Sequence, residues 1–177
     1  MKHTDSKPNP AHLEQGPETK KSFDYRMIKG RIAETLIEQL FISQNFKVFR
    51  YGMENTIPGI MEFVRGFNSD VAKEIRAMPD LVVRHPLSER VFFVEVKFRK
   101  RGVFTIKDLP EDFPYRNAYF IIVSKKHIKC IRYEELVEGK SITPTSRNYL
   151  GNRNEFGLDK KVIKEYCDFA IQFFEKA

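Results

Sequence analysis

Two short apolar runs, Asp80-Leu-Val-Val-Arg84 and Val91-Phe-Phe-Val-Glu95-Val-Lys97, flank the turn-like stretch His85-Pro-Leu-Ser-Glu-Arg90. β-Branched and aromatic residues bounded by proline and serine predict two strands joined as a hairpin. If the hairpin is symmetric about the Leu87–Ser88 bond, Arg84 pairs with Val91, Val82 with Phe93 and Asp80 with Glu95. A bulge or an asymmetric turn would shift this register. Side chains alternate along a strand, so Glu95 and Lys97 point the same way. Directly opposed residues have Cβ atoms roughly 4.5–5.5 Å apart, and like charges there repel. One small patch therefore collects two carboxylates and an ammonium. Such a patch is poor for stability, because burying an unpaired carboxylate is expensive. It suits a hard divalent cation, which takes oxygen ligands from one or two carboxylates, waters and a substrate phosphate.

The remaining pattern gives this hairpin a setting. Residues 1–22 are polar, with Pro8, Pro10 and Pro17, and read as a disordered tail. Residues 23–177 read as a single domain. From Tyr25 to about Ser43, Ile28, Ile32, Leu36, Ile37, Leu40 and Phe41 recur at helical spacing. Glu34 lies off the centre of that stripe, where a glutamate is usually solvated. Phe46–Tyr51 alternates as a first strand. Gly59 to about Phe67 reads as a short helix, and a second one extends to Ala77 with Asp70 as its N-cap. Ala118–Val123 is a continuous apolar run, as in a strand buried on both faces. His127–Arg132 pairs with it as an outer strand, and Tyr133–Val137 forms a helical turn. A loop over Ser141–Gly157 places Arg147, Tyr149, Arg153 and Phe156 where they anchor it to the core. Asp159 caps a last helix whose stripe is Ile163, Tyr166, Cys167, Ala170, Phe173 and Phe174. The fold class is α/β, with a central mixed β-sheet flanked by helices in three layers.

The spacing of Pro79-Asp80, Glu95-Val-Lys97 and an upstream helical Lys29-Gly30-Arg-Ile-Ala-Glu34 resembles the PD-(D/E)XK nuclease superfamily, with its restriction-endonuclease-like core. Archaeal Holliday-junction resolvase-like members are the nearest in pattern, and the resemblance covers roughly residues 27–133. It implies a catalytic set of Glu34, Asp80, Glu95 and Lys97. It also implies a Mg²⁺ or Mn²⁺ site built from Asp80, Glu95 and the Val96 carbonyl, with Glu34 reaching the same site. The chain departs from the resolvases at Thr35, where they carry an arginine, and at Tyr51–Pro58, where they carry small residues. A short stretch around Asp108–Tyr115 replaces their long helix. The resemblance thus implies a phosphodiester-cleaving hydrolase, expected to act on DNA rather than RNA in repair, recombination or mobile-element processing. A homodimer would suit cutting both strands of a duplex.

Charge fits that partner class. The chain carries a net +7, of which the first 22 residues (four Lys against three Asp and Glu) supply +1, leaving +6 for the domain. A basic domain suits a polyanion. Arg99, Lys100 and Arg101 follow the Glu95–Lys97 strand, and with Lys29 and Arg31 they are the candidate backbone-phosphate contacts. The parity of Arg99 and Arg101 matches Lys97, so a continuing strand aims them to its side. Cys130 and Cys167 have no metal or redox spacing, which points to buried thiols and a cytoplasmic setting. No apolar stretch is long enough to span a membrane. The alternatives are a catalytically inactive nucleic-acid-binding module, or a protein-interaction module that uses the last helix.

Overall fold

The computed structural model describes residues 17–52 and 69–175, with Gly59 and Gly66 between them. The elements run α1 (Pro17–Ser43), β1 (Lys47–Arg50), α2 (Asp70–Arg76), β2 (Leu81–Arg84), β3 (Val91–Phe98), β4 (Tyr119–Val123), β5 (Ile128–Arg132), α3 (Tyr133–Val137) and α4 (Lys160–Phe174). Single 3₁₀ turns lie at Ile106–Asp108 and Leu150–Asn152. The five strands form one sheet in sequence order, β1-β2-β3-β4-β5. Only β3 and β4 are parallel, and the other neighbours are antiparallel. The chain is an α/β protein with a mixed sheet and helices on both faces.

The β2–β3 hairpin has the symmetric register. Arg84 lies opposite Val91, Val82 opposite Phe93 and Leu81 opposite Val94. The turn closes where His85 donates its N–H to the Arg90 carbonyl at 2.9 Å. His85 Nδ1 accepts the N–H groups of Leu87 and Ser88 at 3.1 and 3.2 Å, and Glu89 takes φ 56° to complete the reversal.

Strand alternation splits the interior into two cores. On one face Leu81, Val83, Phe92, Val94, Val96, Ile121 and Val123 meet α1 and α4. On the other Phe93, Phe120, Ile122 and Ile131 meet Leu136 of α3 and the crossover residues Phe104 and Phe113. All five residues of β4 are buried, because both faces of this strand are covered. Phe156 is fully buried between Phe41, Phe92 and Tyr119, with ring centroids 5.3, 4.9 and 5.0 Å away. It plugs the first core from the 141–157 loop. Arg153 holds the same loop by pairing with Glu135 at 2.6 Å and donating to the Cys130 carbonyl at 2.8 Å. Lys129 does so from β5. Its residue is 3% exposed, and its ammonium donates to the carbonyls of Thr143, Pro144 and Ser146 at 2.6, 3.0 and 2.7 Å.

Several boundaries differ from the sequence reading. Helix α1 starts at Pro17, inside the stretch read as tail, because proline at a first helical position loses no hydrogen bond and has its φ already set. Its buried stripe is Ala33, Leu36, Ile37, Leu40 and Phe41. Ile28 is exposed, since residues 22–28 run beyond the core. Ser69, not Asp70, caps α2 by accepting the Ala72 N–H at 3.2 Å. Asp159 caps α4 as expected, but Phe173 is 61% exposed and leaves the expected stripe to Ile163, Ala170 and Phe174. The tail before Pro17 and, but for Gly59 and Gly66, the helix read from Gly59 to about Phe67 lie outside the described residues.

Candidate functional site

The hairpin register carries Asp80 to the side of Glu95. Asp80 Oδ2 accepts the Val96 N–H at 2.7 Å, and Glu95 Oε2 accepts the Asp80 N–H at 3.3 Å. The Asp80 carbonyl is held in turn by the N–H groups of Tyr51 and Gly52 at 2.9 and 3.3 Å. Glu95 Oε1 pairs with the Lys97 ammonium. Asp80, Glu95 and Lys97 are thus one hydrogen-bonded cluster. Val96 faces the first core while its neighbours Glu95 and Lys97 face the other side. In an extended strand the N–H and C=O of one residue face the same neighbouring strand. The Val96 carbonyl is therefore turned, like its N–H, toward the end of β2 where Asp80 sits.

Electrostatics mark this cluster as strained in its charged form. Burial pushes the Glu95 carboxyl up to about 7, Lys97 pulls it down, and the like charge of Asp80 adds to the rise. Burial also works against the Lys97 ammonium, but Glu95 and Asp80 outweigh it and hold its pKa above the ordinary value. Lys97 is therefore a firm cation near neutral pH. A carboxyl kept partly protonated beside a second carboxylate is a donor set that a divalent cation relieves. Asp80, Glu95 and the Val96 carbonyl fit Mg²⁺, which keeps several of its own waters.

Glu95 and Lys97 lie in a cleft of about 600 Å³. One wall is α2 with Lys73 and Arg76, and the other is the segment carrying Asp108, Glu111, Asp112 and Phe113. Lys73 reaches across to Asp112 at 3.4 Å, so the two walls are linked at their rims. None of these wall side chains was named as a site residue from the sequence. Nothing in their spacing shows that α2 returns over the acids, since that placement is tertiary.

Glu34 is presented by α1 rather than by the sheet. Among the described residues, no three acidic, histidine or cysteine side chains form one metal-holding group. The helix that carries Glu34 packs on the face opposite Glu95 and Lys97. Glu34 acts on Arg50, as do Glu38, which Arg50 binds through Nε at 2.9 Å, and Asp80, so Arg50 stands close to both Glu34 and the Asp80 carboxylate.

The expected phosphate contacts do not form one row. Strand β3 ends at Phe98, and the chain turns where Gly102, at φ 61°, donates to the Arg99 carbonyl at 2.8 Å. Arg99 stays on the side of Lys97, pairing with Asp108 of the cleft wall at 3.6 Å and lying 5.7 Å from the Phe104 ring, while Lys100 and Arg101 are exposed in the turn. Lys29 sits 3.9 Å over the Tyr25 ring. Burial, then Lys100 and Lys125, lowers its pKa, so Lys29, Lys100 and the unforeseen Lys125 share a positive patch near the end of β3. Arg31 lines a separate groove between α1 and α4. No helix among the described residues is long and apolar enough to cross a membrane. No protein-family model matches the chain, and no curated protein matches it.

Proposed function

We propose that this chain is a metal-dependent phosphodiesterase of the PD-(D/E)XK type, a nuclease acting on DNA. The observation that carries the reading is the convergence of Asp80, Glu95 and Lys97 on one face, with Glu95 and Lys97 opening into a cleft. Asp80, Glu95 and the Val96 carbonyl would hold one Mg²⁺ or Mn²⁺. When bound, that ion supplies charge neutralisation at a phosphate and acidifies a water.

The chain's own groups do the rest. Lys97 stays protonated, because the two carboxylates raise its pKa despite its burial. Its part is to stabilise negative charge as it develops on the phosphoryl oxygens, rather than to take a proton from water. The Val96 N–H fixes the Asp80 carboxylate, and the Asp80 N–H fixes Glu95, so both acids are oriented before anything binds. Glu34, whose charge reaches the same Arg50 as that of Asp80, would orient the water or help hold a second ion. The patch of Lys29, Lys100 and Lys125 offers sequence-independent attraction for a phosphate backbone.

The test incubates the wild type, Asp80→Ala and Lys97→Ala with supercoiled plasmid, single-stranded DNA, RNA and branched junctions in Mg²⁺. Cleavage is expected from the wild type alone, with all three proteins equally folded by circular dichroism. Equal cleavage by both variants rejects the assignment. A second reading, a protein-interaction module, draws on the apolar groove of about 590 Å³ between α1 and α4, lined by Ile28, Ile32, Tyr166, Phe169 and Phe173. A wild type that binds no Mn²⁺ in calorimetry favours it.

A further inference from the structure

At the opposite end of β3 from Lys97, three arginines from separate elements line a small pocket of about 180 Å³. Arg90 comes from the end of the β2–β3 turn, Arg116 from the crossover before β4, and Arg132 from the end of β5. Asn117 and Tyr119 complete the polar lining, and Glu134 is its one acid.

The pocket has more positive charge than its surroundings neutralise. Glu134 pairs with Arg132 at 3.2 Å. Among the described residues, Arg90 and Arg116 make no ion pair, and Arg132 Nε is buried without a hydrogen-bond acceptor. That nitrogen has next to no accessible surface, so the donors open to a ligand are the exposed guanidinium groups of Arg90 and Arg116. Tyr119 keeps its hydroxyl proton, because burial, the largest influence, raises its pKa and Glu155 adds to the rise. Arg132 and Arg90 stand close enough to oppose that rise. The lining therefore offers guanidinium forks, an amide and a hydroxyl, and no unpaired carboxylate.

We propose that Arg90, Arg116 and Arg132 form an oxyanion pocket that holds a phosphate group. Its size admits one tetrahedral anion rather than a drug-sized molecule. Guanidinium groups bind phosphate oxygens in bidentate pairs, which lysines do not. The pocket lies roughly 13 Å from Glu95 along β3, the four residues from Val91 at about 3.3 Å each. It stands independently of the nuclease reading. The phosphate belongs either to a small metabolite or to the end of a nucleic-acid strand.

The experiment is calorimetry of the full chain with inorganic phosphate at constant ionic strength. One saturable site is expected. Arg90→Gln and Arg116→Gln should each weaken it about tenfold, the loss expected for one charged hydrogen-bonding group. The remote Lys161→Gln on α4 should leave it unchanged. Both arginines are exposed, so these variants should keep the wild-type melting temperature. Competition by a 5′-phosphorylated oligonucleotide, but not by its 5′-hydroxyl form, assigns the phosphate to a strand end. Competition by neither assigns it to a small molecule. Absence of saturation at millimolar phosphate, or binding untouched in the Arg90→Gln/Arg116→Gln double variant, overturns the proposal.

Discussion

Cation binding at Asp80 and Glu95 should depend steeply on pH, and the structure sets the scale. Glu95 in the metal-free protein titrates at about 7. A cation bound through its carboxylate must displace that proton. At about pH 8 the group is nearly all ionised, and at about pH 6 only roughly a tenth is, so Mn²⁺ affinity should fall about tenfold between them. Calorimetry in two buffers of different ionisation enthalpy counts the protons. Nearly one should leave per ion at the acidic end, and almost none at the alkaline end. Asp80→Asn removes a like charge from beside Glu95, so the midpoint should move down while affinity falls. Affinity that stays flat across this range, or that survives Asp80→Asn combined with Glu95→Gln, would refute the reasoning.

The same carboxyl gives the metal-free fold the opposite trend. Its folded pKa is raised from 4.5 to about 7, so its contribution to stability is complete below the lower value and is lost as pH rises through the upper one. The loss is about 3 kcal/mol, readable as a urea midpoint that falls toward alkaline pH unless Mn²⁺ is added. Phe156→Ala should cost about 3–5 kcal/mol by urea unfolding, because its ring is enclosed by three others and leaves a cavity. Lys129→Met should cost about 1–2 kcal/mol by the same assay, since three part-buried carbonyls lose a charged donor. Ser69→Ala removes the α2 cap and should cost about 1 kcal/mol, with faster hydrogen exchange confined to that helix.

The register of β2 and β3 was legible because a symmetric turn and strict alternation leave one arrangement that keeps Leu81, Val83, Val94 and Val96 on a shared face. The doubly buried β4 was legible from its unbroken apolar run, and the α4 cap from Asp159. Helical period shows which side of α1 meets a sheet, but not which face of the sheet it covers, so the meeting of Glu34, Arg50 and Asp80 is a tertiary fact. Arg99 keeps to the side of Lys97, as parity requires, and pairs there with Asp108 of the cleft wall, whereas Arg101 leaves with the turn at Gly102. The cleft walls and the arginine pocket join residues from distant segments, and no local period encodes such meetings.

Tyr51 and Gly52 donate their N–H groups to Asp80, so the chain leaves the sheet after β1 and comes back directly opposite its point of exit. Of what lies between, the described element α2 belongs to an insertion into what is geometrically a plain hairpin. Its ends are already closed beneath it, and hairpins of this kind need only about 2–5 connecting residues. The roof over the acids can therefore be lengthened, shortened or exchanged while the floor stays in register. In such a protein, what is admitted and what is done to it are free to change separately.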